Sequence, residues 1–103
     1  MFPDYQYLMR RSVSNSLKKQ VLQRDNYLCQ YCWASLTLET AHMDHAFPRS
    51  KGGWTILDNL RSSCPSCNLS KGDKTETEYR TELARKANIA SYFSDILSSS
   101  FRK

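Results

Sequence analysis

From Ser14 to Arg24 the apolar residues Leu17, Val21 and Leu22 fall on one helical stripe, while Lys18, Lys19, Gln20 and Gln23 fall outside it. That spacing predicts a short amphipathic helix, ended by the turn chemistry of Asp25-Asn26. Tyr27 to Trp33 places aromatics around a C-x-x-C, and Leu36 to His45 alternates loosely, which predicts one strand or two short ones stopped by Pro48. Pro48 to Gly53 (PRSKGG) reads as a basic loop whose two adjacent glycines tolerate positive φ. Trp54 to Leu60 leads back to a second strand at Leu60 to Ser63. Cys64-Pro65 then opens a helical turn through Cys67 and Asn68 to Lys71, closed by Gly72, because proline suits the first helical position and glycine the end. Thr75-x-x-Glu78 has capping-box spacing, after which Tyr79, Leu83, Ala87 and Ala90 recur at helical intervals. Tyr92, Phe93, Ile96, Leu97 and Phe101 extend the apolar material as a second short helix after the polar Asn88, with a Ser-rich end at 98 to 100 expected to fray. The pattern contains no internal repeat, linker or low-complexity stretch, and it predicts an α+β fold.

With 103 residues the expectation is one domain over 1–103 with a single small core. Apolar residues at 40% and charged residues at 24% argue against disorder, a collagen-like repeat or a coiled coil. Trp33, Trp54, Tyr79 and Phe93 are expected in the core, since such a domain has few large apolar residues to bury. No run of roughly 18 apolar residues is present, so no spanning helix is expected. The first residues, MFPDYQYLMRRSVSN, hold no apolar stretch of secretory-signal length before the arginines, and the chain is read as cytoplasmic. The net charge of +5 favours an anionic partner. Residues 10 to 74 carry ten basic and five acidic side chains, against five and four in 75 to 103, so the excess lies with every Cys and His. A solvated basic face without a partner fits the charge equally well.

The four cysteines form two pairs, Cys29/Cys32 and Cys64/Cys67, separated by 31 residues. Each C-x-x-C presents two sulfurs on one side of a tight knuckle, and two knuckles complete the tetrahedral thiolate set that structural zinc prefers. Disulfides are disfavoured in an intracellular chain, and a redox dithiol needs one pair rather than two. A closed zinc site contributes folding free energy on the order of 10 kcal/mol, which a small, polar, loop-broken domain requires, so chelation is expected to unfold it. Four thiolates leave that metal no open position, and any catalytic ion must be a second one.

Between the pairs lie the two histidines of the chain, His42 and His45, with Asp44 beside them. A carboxylate is the hard oxygen donor that magnesium accepts, and neutral imidazole can take a proton from water, a combination that points to hydrolysis. Surface charge beside a zinc fold explains the Asp44-His45 pair, considered alone, as well. Taken together, Cys29-x-x-Cys32, Asp44-His45-x-x-Pro48-x-Ser50-x-Gly52-Gly53, Asn59-Leu60 and Cys64-x-x-Cys67-Asn68-x-x-Lys71-Gly72 resemble the HNH endonucleases of the four-cysteine, ββα-metal type. Arg24-Asp25-Asn26-Tyr27 looks like the usual lead into that family's first knuckle, and the resemblance covers a signature core of about 17–75, leaving a C-terminal helical segment of about 75–101.

The resemblance implies a small zinc-stabilised ββα-metal (His-Me finger) domain with flanking helices. It also implies roles: Asp44 and Asn68 hold a catalytic divalent metal, His45 is the general base, and Asn59 braces the loop and orients the histidine. Asn68 stands where the family often has His, making an H-N-N variant, and its amide oxygen favours Mg²⁺ or Mn²⁺ over softer ions. The implied activity is one-metal hydrolysis of DNA phosphodiesters, leaving 5′-phosphate and 3′-hydroxyl ends, in a bacterial or phage-encoded protein. In a regular strand Asp44 and His45 point to opposite faces, so the backbone is expected to bend or end there. His42 shares the Asp44 face and is read as packing or hydrogen-bonding, with an accessory contact to phosphate or metal as the alternative.

Arg49, Lys51, Arg61, Lys71 and Lys74 surround the signature and are candidates for backbone-phosphate contacts, with solvated charge as the alternative for each. The expected partner is DNA, double-stranded, with neither a membrane nor a small-molecule substrate. The 75–101 segment is the stretch a homodimer would use. The main rival is a non-catalytic zinc module that binds DNA or RNA, which requires none of Asp44, His45, Asn59 and Asn68. A zinc-bearing protein adaptor predicts no nucleic-acid affinity and leaves the basic excess unexplained.

Overall fold

A computed structural model of the chain describes residues 12–101, with side chains described through Ile89. The reading of the first eleven residues and the packing expected of Phe93 lie outside what is described. Helix α1 spans Asn15–Arg24. Ser14 caps it, its Oγ accepting from the Leu17 N–H at 3.2 Å, and its apolar stripe buries Val21 and Leu22. The exit is tight: Asn26 and Tyr27 both take left-handed backbone angles (φ 57° and 56°), and the Tyr27 N–H returns to the Leu22 carbonyl at 2.9 Å.

The segment expected to form strand over Leu36 to His45 does so only at its end. Strand β1 is His42–His45, and β2 is Leu60–Ser63, paired antiparallel in the register His42 to Ser63, Met43 to Ser62, Asp44 to Arg61 and His45 to Leu60. Upstream, a single bridge joins Leu28 and Ser35 across the first knuckle, and Thr37 and Thr40 close a turn on each other's N–H and hydroxyl groups. Strand length here is set by the four residues β2 offers, which local alternation cannot reveal.

Helix α2, Pro65–Lys71, starts with Cys64 as its cap, the Sγ accepting from the Cys67 N–H at 3.4 Å. The last helix, α3, is Glu76–Phe101. Its capping box forms as expected: the Thr75 N–H donates to Glu78 Oε1 (3.0 Å), and the Glu78 N–H to Thr75 Oγ1 (3.1 Å). The break expected after Asn88 is absent, because one asparagine costs only tenths of a kcal/mol, about 0.7 at most, in a helix interior.

The core gathers Leu22, Cys29, Tyr31, Leu36, Cys67 and Tyr79, from α1, both knuckles and α3. Leu22 and Leu60 are fully buried, each worth about 1.5–3 kcal/mol. Tyr79 is 2% exposed and meets Tyr31 edge-on, with ring centroids 5.1 Å apart. Trp33 and Trp54 correct the core expectation, being 65% and 44% exposed. Trp33 rides a left-handed residue (φ 68°) at the end of the first knuckle and is carried outward with it. No helix among the described residues is long and apolar enough to cross a membrane.

Candidate active site

The two knuckles come together. The Sγ atoms of Cys29, Cys32, Cys64 and Cys67 all lie within 4.8 Å of one another, a four-thiol group that can hold a metal ion. Cys29 and Cys67 are buried, whereas Cys32 is exposed. Burial pushes the Cys29 thiol up, but N–H groups of Cys64, Cys32 and Tyr31 aimed at its sulfur outweigh it and bring it down to about 7. Cys67 goes the other way, pushed up by burial and by the neighbouring sulfurs, so it is the convergence of four sulfurs that suits a soft, four-coordinate ion such as zinc.

β1 runs from the first knuckle toward a cleft of about 450 Å³, whose lining includes Asp44, His45, Arg49, Asn68 and Lys71. His45 is the last residue of β1, and the chain leaves the strand immediately, the Ala46 N–H donating to the Asn59 carbonyl at 2.8 Å. Two neighbours that alternate in a regular strand therefore border the same cleft. α2 brings Asn68 and Lys71 to its other side, directly after the second knuckle, so the thiol group and the cleft share their scaffold.

Asp44 is 5% exposed and engaged through both oxygens. Oδ2 accepts from the Tyr31 hydroxyl at 2.6 Å, and Oδ1 lies 3.0 Å from Lys71 Nζ, which also donates to the His45 carbonyl at 3.0 Å. Lys71, expected to contact phosphate from the surface, is instead 1% exposed, because its ammonium is drawn into this carboxylate. Tyr31 was not singled out from the sequence. The only signal is its place inside the first C-x-x-C, which fixes it to the thiol group.

The His45 ring sits half-buried, with Nε2 2.9 Å from Thr55 Oγ1. Burial lowers its pKa, Asp44 opposes this, and the cations Arg49 and Lys71 reinforce it, so the imidazole is neutral near pH 7. The ring's hydrogen bond thus goes to Thr55, a residue with no recognisable sequence signal, rather than to Asn59. Asn59 acts on the backbone of the loop between the strands. Its Oδ1 accepts from the Phe47 N–H (2.8 Å), and its Nδ2 donates to the carbonyls of Phe47 (3.0 Å) and Trp54 (2.8 Å). The loop it ties is compact enough that a Cβ on Gly53 would lie 1.7 Å from the Phe47 carbonyl oxygen, while Gly52 supplies the positive φ of 93°.

His42 is exposed, and its Nδ1 lies 3.3 Å from Asn68 Nδ2. That contact uses the amide nitrogen and leaves the carbonyl oxygen of Asn68 out of it. Asp44 and Asn68 line the same cleft, a carboxylate and an amide, the donor types that oxygen-preferring ions take. Of the remaining cations, Lys51 pairs with Glu78 (3.3 Å), Arg61 with Glu76 (2.9 Å) and Lys74 with Glu82 (2.7 Å), and Arg49 is among the residues that line the cleft. The Arg24-Asp25 lead has a structural task. Arg24 donates to the carbonyls of Leu57 and Leu60, and Asp25 Oδ2 accepts from the Ser62 N–H at 2.9 Å, so the end of α1 is pinned to β2.

Comparison with known proteins finds the same segment. Residues 29–74 match the family model described as HNH endonuclease. A CRISPR-associated endonuclease Cas9 from Corynebacterium diphtheriae is 40% identical over 55 residues, covering 52% of this chain and 5% of that protein. A protein named anaredoxin from a Nostoc species is 36% identical over 50 residues, covering 48% of this chain and 63% of that protein. The chain thus spans a small part of the first relative and less than two thirds of the second.

Proposed function

From the match of residues 29–74 to the HNH endonuclease family model, we propose that the protein is a metal-dependent DNA endonuclease acting through His45. The observation that carries the reading is the meeting of Asp44, His45 and Asn68 on one cleft. Asp44 and Asn68 would hold Mg²⁺ or Mn²⁺ through oxygen, and that cation would supply charge neutralisation for the phosphoryl and departing oxygens. His45 supplies the base. With a proton on Nε2 directed to Thr55, its Nδ1 lone pair accepts a proton from water as the water oxygen attacks phosphorus. The bond from phosphorus to the 3′ oxygen breaks, and that oxygen leaves with a proton from solvent, giving 5′-phosphate and 3′-hydroxyl ends. Asn59 keeps the loop after His45 in place. Cys29, Cys32, Cys64 and Cys67 would hold a structural Zn²⁺ that ties the two knuckles together. Arg49 is the phosphate contact best placed beside the cleft. Residues 1–103 act as one domain on double-stranded DNA, and the 75–101 segment would serve a homodimer.

His45→Ala is expected to reduce cleavage of supercoiled plasmid in Mg²⁺ or Mn²⁺ by at least about 10²-fold, while leaving circular dichroism and DNA binding nearly intact. Unchanged cleavage refutes the assignment. One observation favours the rival zinc-containing nucleic-acid-binding module: both oxygens of Asp44 already have protein partners. Under that reading the wild-type protein binds DNA in a salt-sensitive way and cuts nothing.

A further inference from the structure

The two partners of Asp44 differ in kind. Tyr31 is held on several sides: by its place between Cys29 and Cys32, by the edge of Tyr79, and by the Arg80 guanidinium 4.9 Å from its ring centroid. Its hydroxyl donates to Oδ2 at 2.6 Å, so it is a fixed donor. Lys71 is a point charge on a flexible stem at the last residue of α2. It reaches Oδ1 at 3.0 Å with almost no exposure to water.

A buried ammonium is costly unless a carboxylate faces it, and a carboxylate buried without a cation is equally costly. Each group therefore sustains the other while the cleft holds no metal. A divalent ion seeking Asp44 finds Oδ2 fixed by a neutral hydroxyl and Oδ1 occupied by a cation. Resting on the hydrolytic reading above, we propose that Lys71 is a built-in placeholder cation: it balances Asp44 in the metal-free protein and gives up Oδ1 when the divalent ion binds. Tyr31 holds the carboxylate in both states, as a positioning residue that ties the ion's ligand to the thiol knuckle. The exchange keeps the cleft organised without metal and weakens metal affinity by the strength of the contact that must be given up.

The test uses the full zinc-loaded chain at pH 8 and low salt, with Mn²⁺ as the probe and free Mn²⁺ read by electron paramagnetic resonance. Lys71→Met, close in length and uncharged, is expected to bind Mn²⁺ about tenfold more tightly than wild type, because the competing charge is gone. Tyr31→Phe is expected to bind several-fold more weakly, at roughly one hydrogen bond's worth, with zinc content unchanged. Binding that Asp44→Asn abolishes but Lys71→Met leaves equal or weaker overturns the placeholder and spares the hydrolytic reading. Wild-type protein with no Asp44-dependent Mn²⁺ site overturns both. Should Lys71→Met not fold, the wild type decides: the ¹⁵N ammonium resonance of Lys71 is expected in the metal-free protein and is expected to shift or vanish on saturation with Mg²⁺. A resonance that Mg²⁺ leaves unmoved overturns the exchange.

Discussion

Asn59 illustrates what a single side chain contributes to this domain. Its three hydrogen bonds join Phe47 to Trp54 across the loop that follows His45, so the loop's shape depends on one amide. Asn59→Ala is expected to destabilise the protein by about 2 kcal/mol in urea unfolding, since each bond nets roughly 0.5–1.5 kcal/mol, and to reduce plasmid cleavage as well. Stability within a few tenths of a kcal/mol of wild type would mean the loop is held by other contacts. The chemistry-bearing residue types around this loop were legible in the sequence because few residues offer hard oxygen or neutral imidazole. Their partners were not. Thr55, Tyr31 and the buried state of Lys71 follow from packing between segments distant in the chain, and a lysine read from sequence alone is assigned to the surface by default.

At the level of elements, α1, β2, α2 and the capping box of α3 were legible because each is set by local signals: a stripe, a proline, a glycine or a Thr-x-x-Glu. The extent of β1 and the unbroken run of α3 were not, since pairing decides the first and a weak local preference failed to interrupt the second. The elements are joined by two devices. One is the thiol group. Cys64→Ser is expected to lose bound zinc and most helical signal in circular dichroism, because the thiol group joins the two knuckles on which the core is built, and a folded zinc-free variant would count against this. The other is Asp25 between α1 and β2. Burial raises its pKa, but the Arg24 and Ser62 donors outweigh that and hold it below the ordinary carboxylate value of 3.8. A depressed folded pKa gives stability that is present above about pH 4 and lost as pH falls toward the folded value. Asp25→Asn should therefore be less stable than wild type near neutrality and lose less between pH 6 and pH 3; parallel stability curves would show that Asp25 is not the group responsible.

Across the described residues, the second knuckle opens α2, and α2 and β1 bring Asn68, Lys71, Asp44 and His45 to one cleft. The basic excess of residues 10 to 74 is partly consumed inside the fold, by Asp44, Glu76, Glu78 and Glu82, so total charge overstates what a nucleic acid would meet. The central claim is that two oxygen donors far apart in the chain take one hard cation next to an imidazole. Anomalous scattering from a crystal soaked in Mn²⁺ tests it most directly. The account predicts one peak about 2.1 Å from an Asp44 carboxylate oxygen and from Asn68 Oδ1, in the cleft that His45 borders. A peak confined to other carboxylates, or none in that cleft at a concentration that supports cleavage, would contradict it.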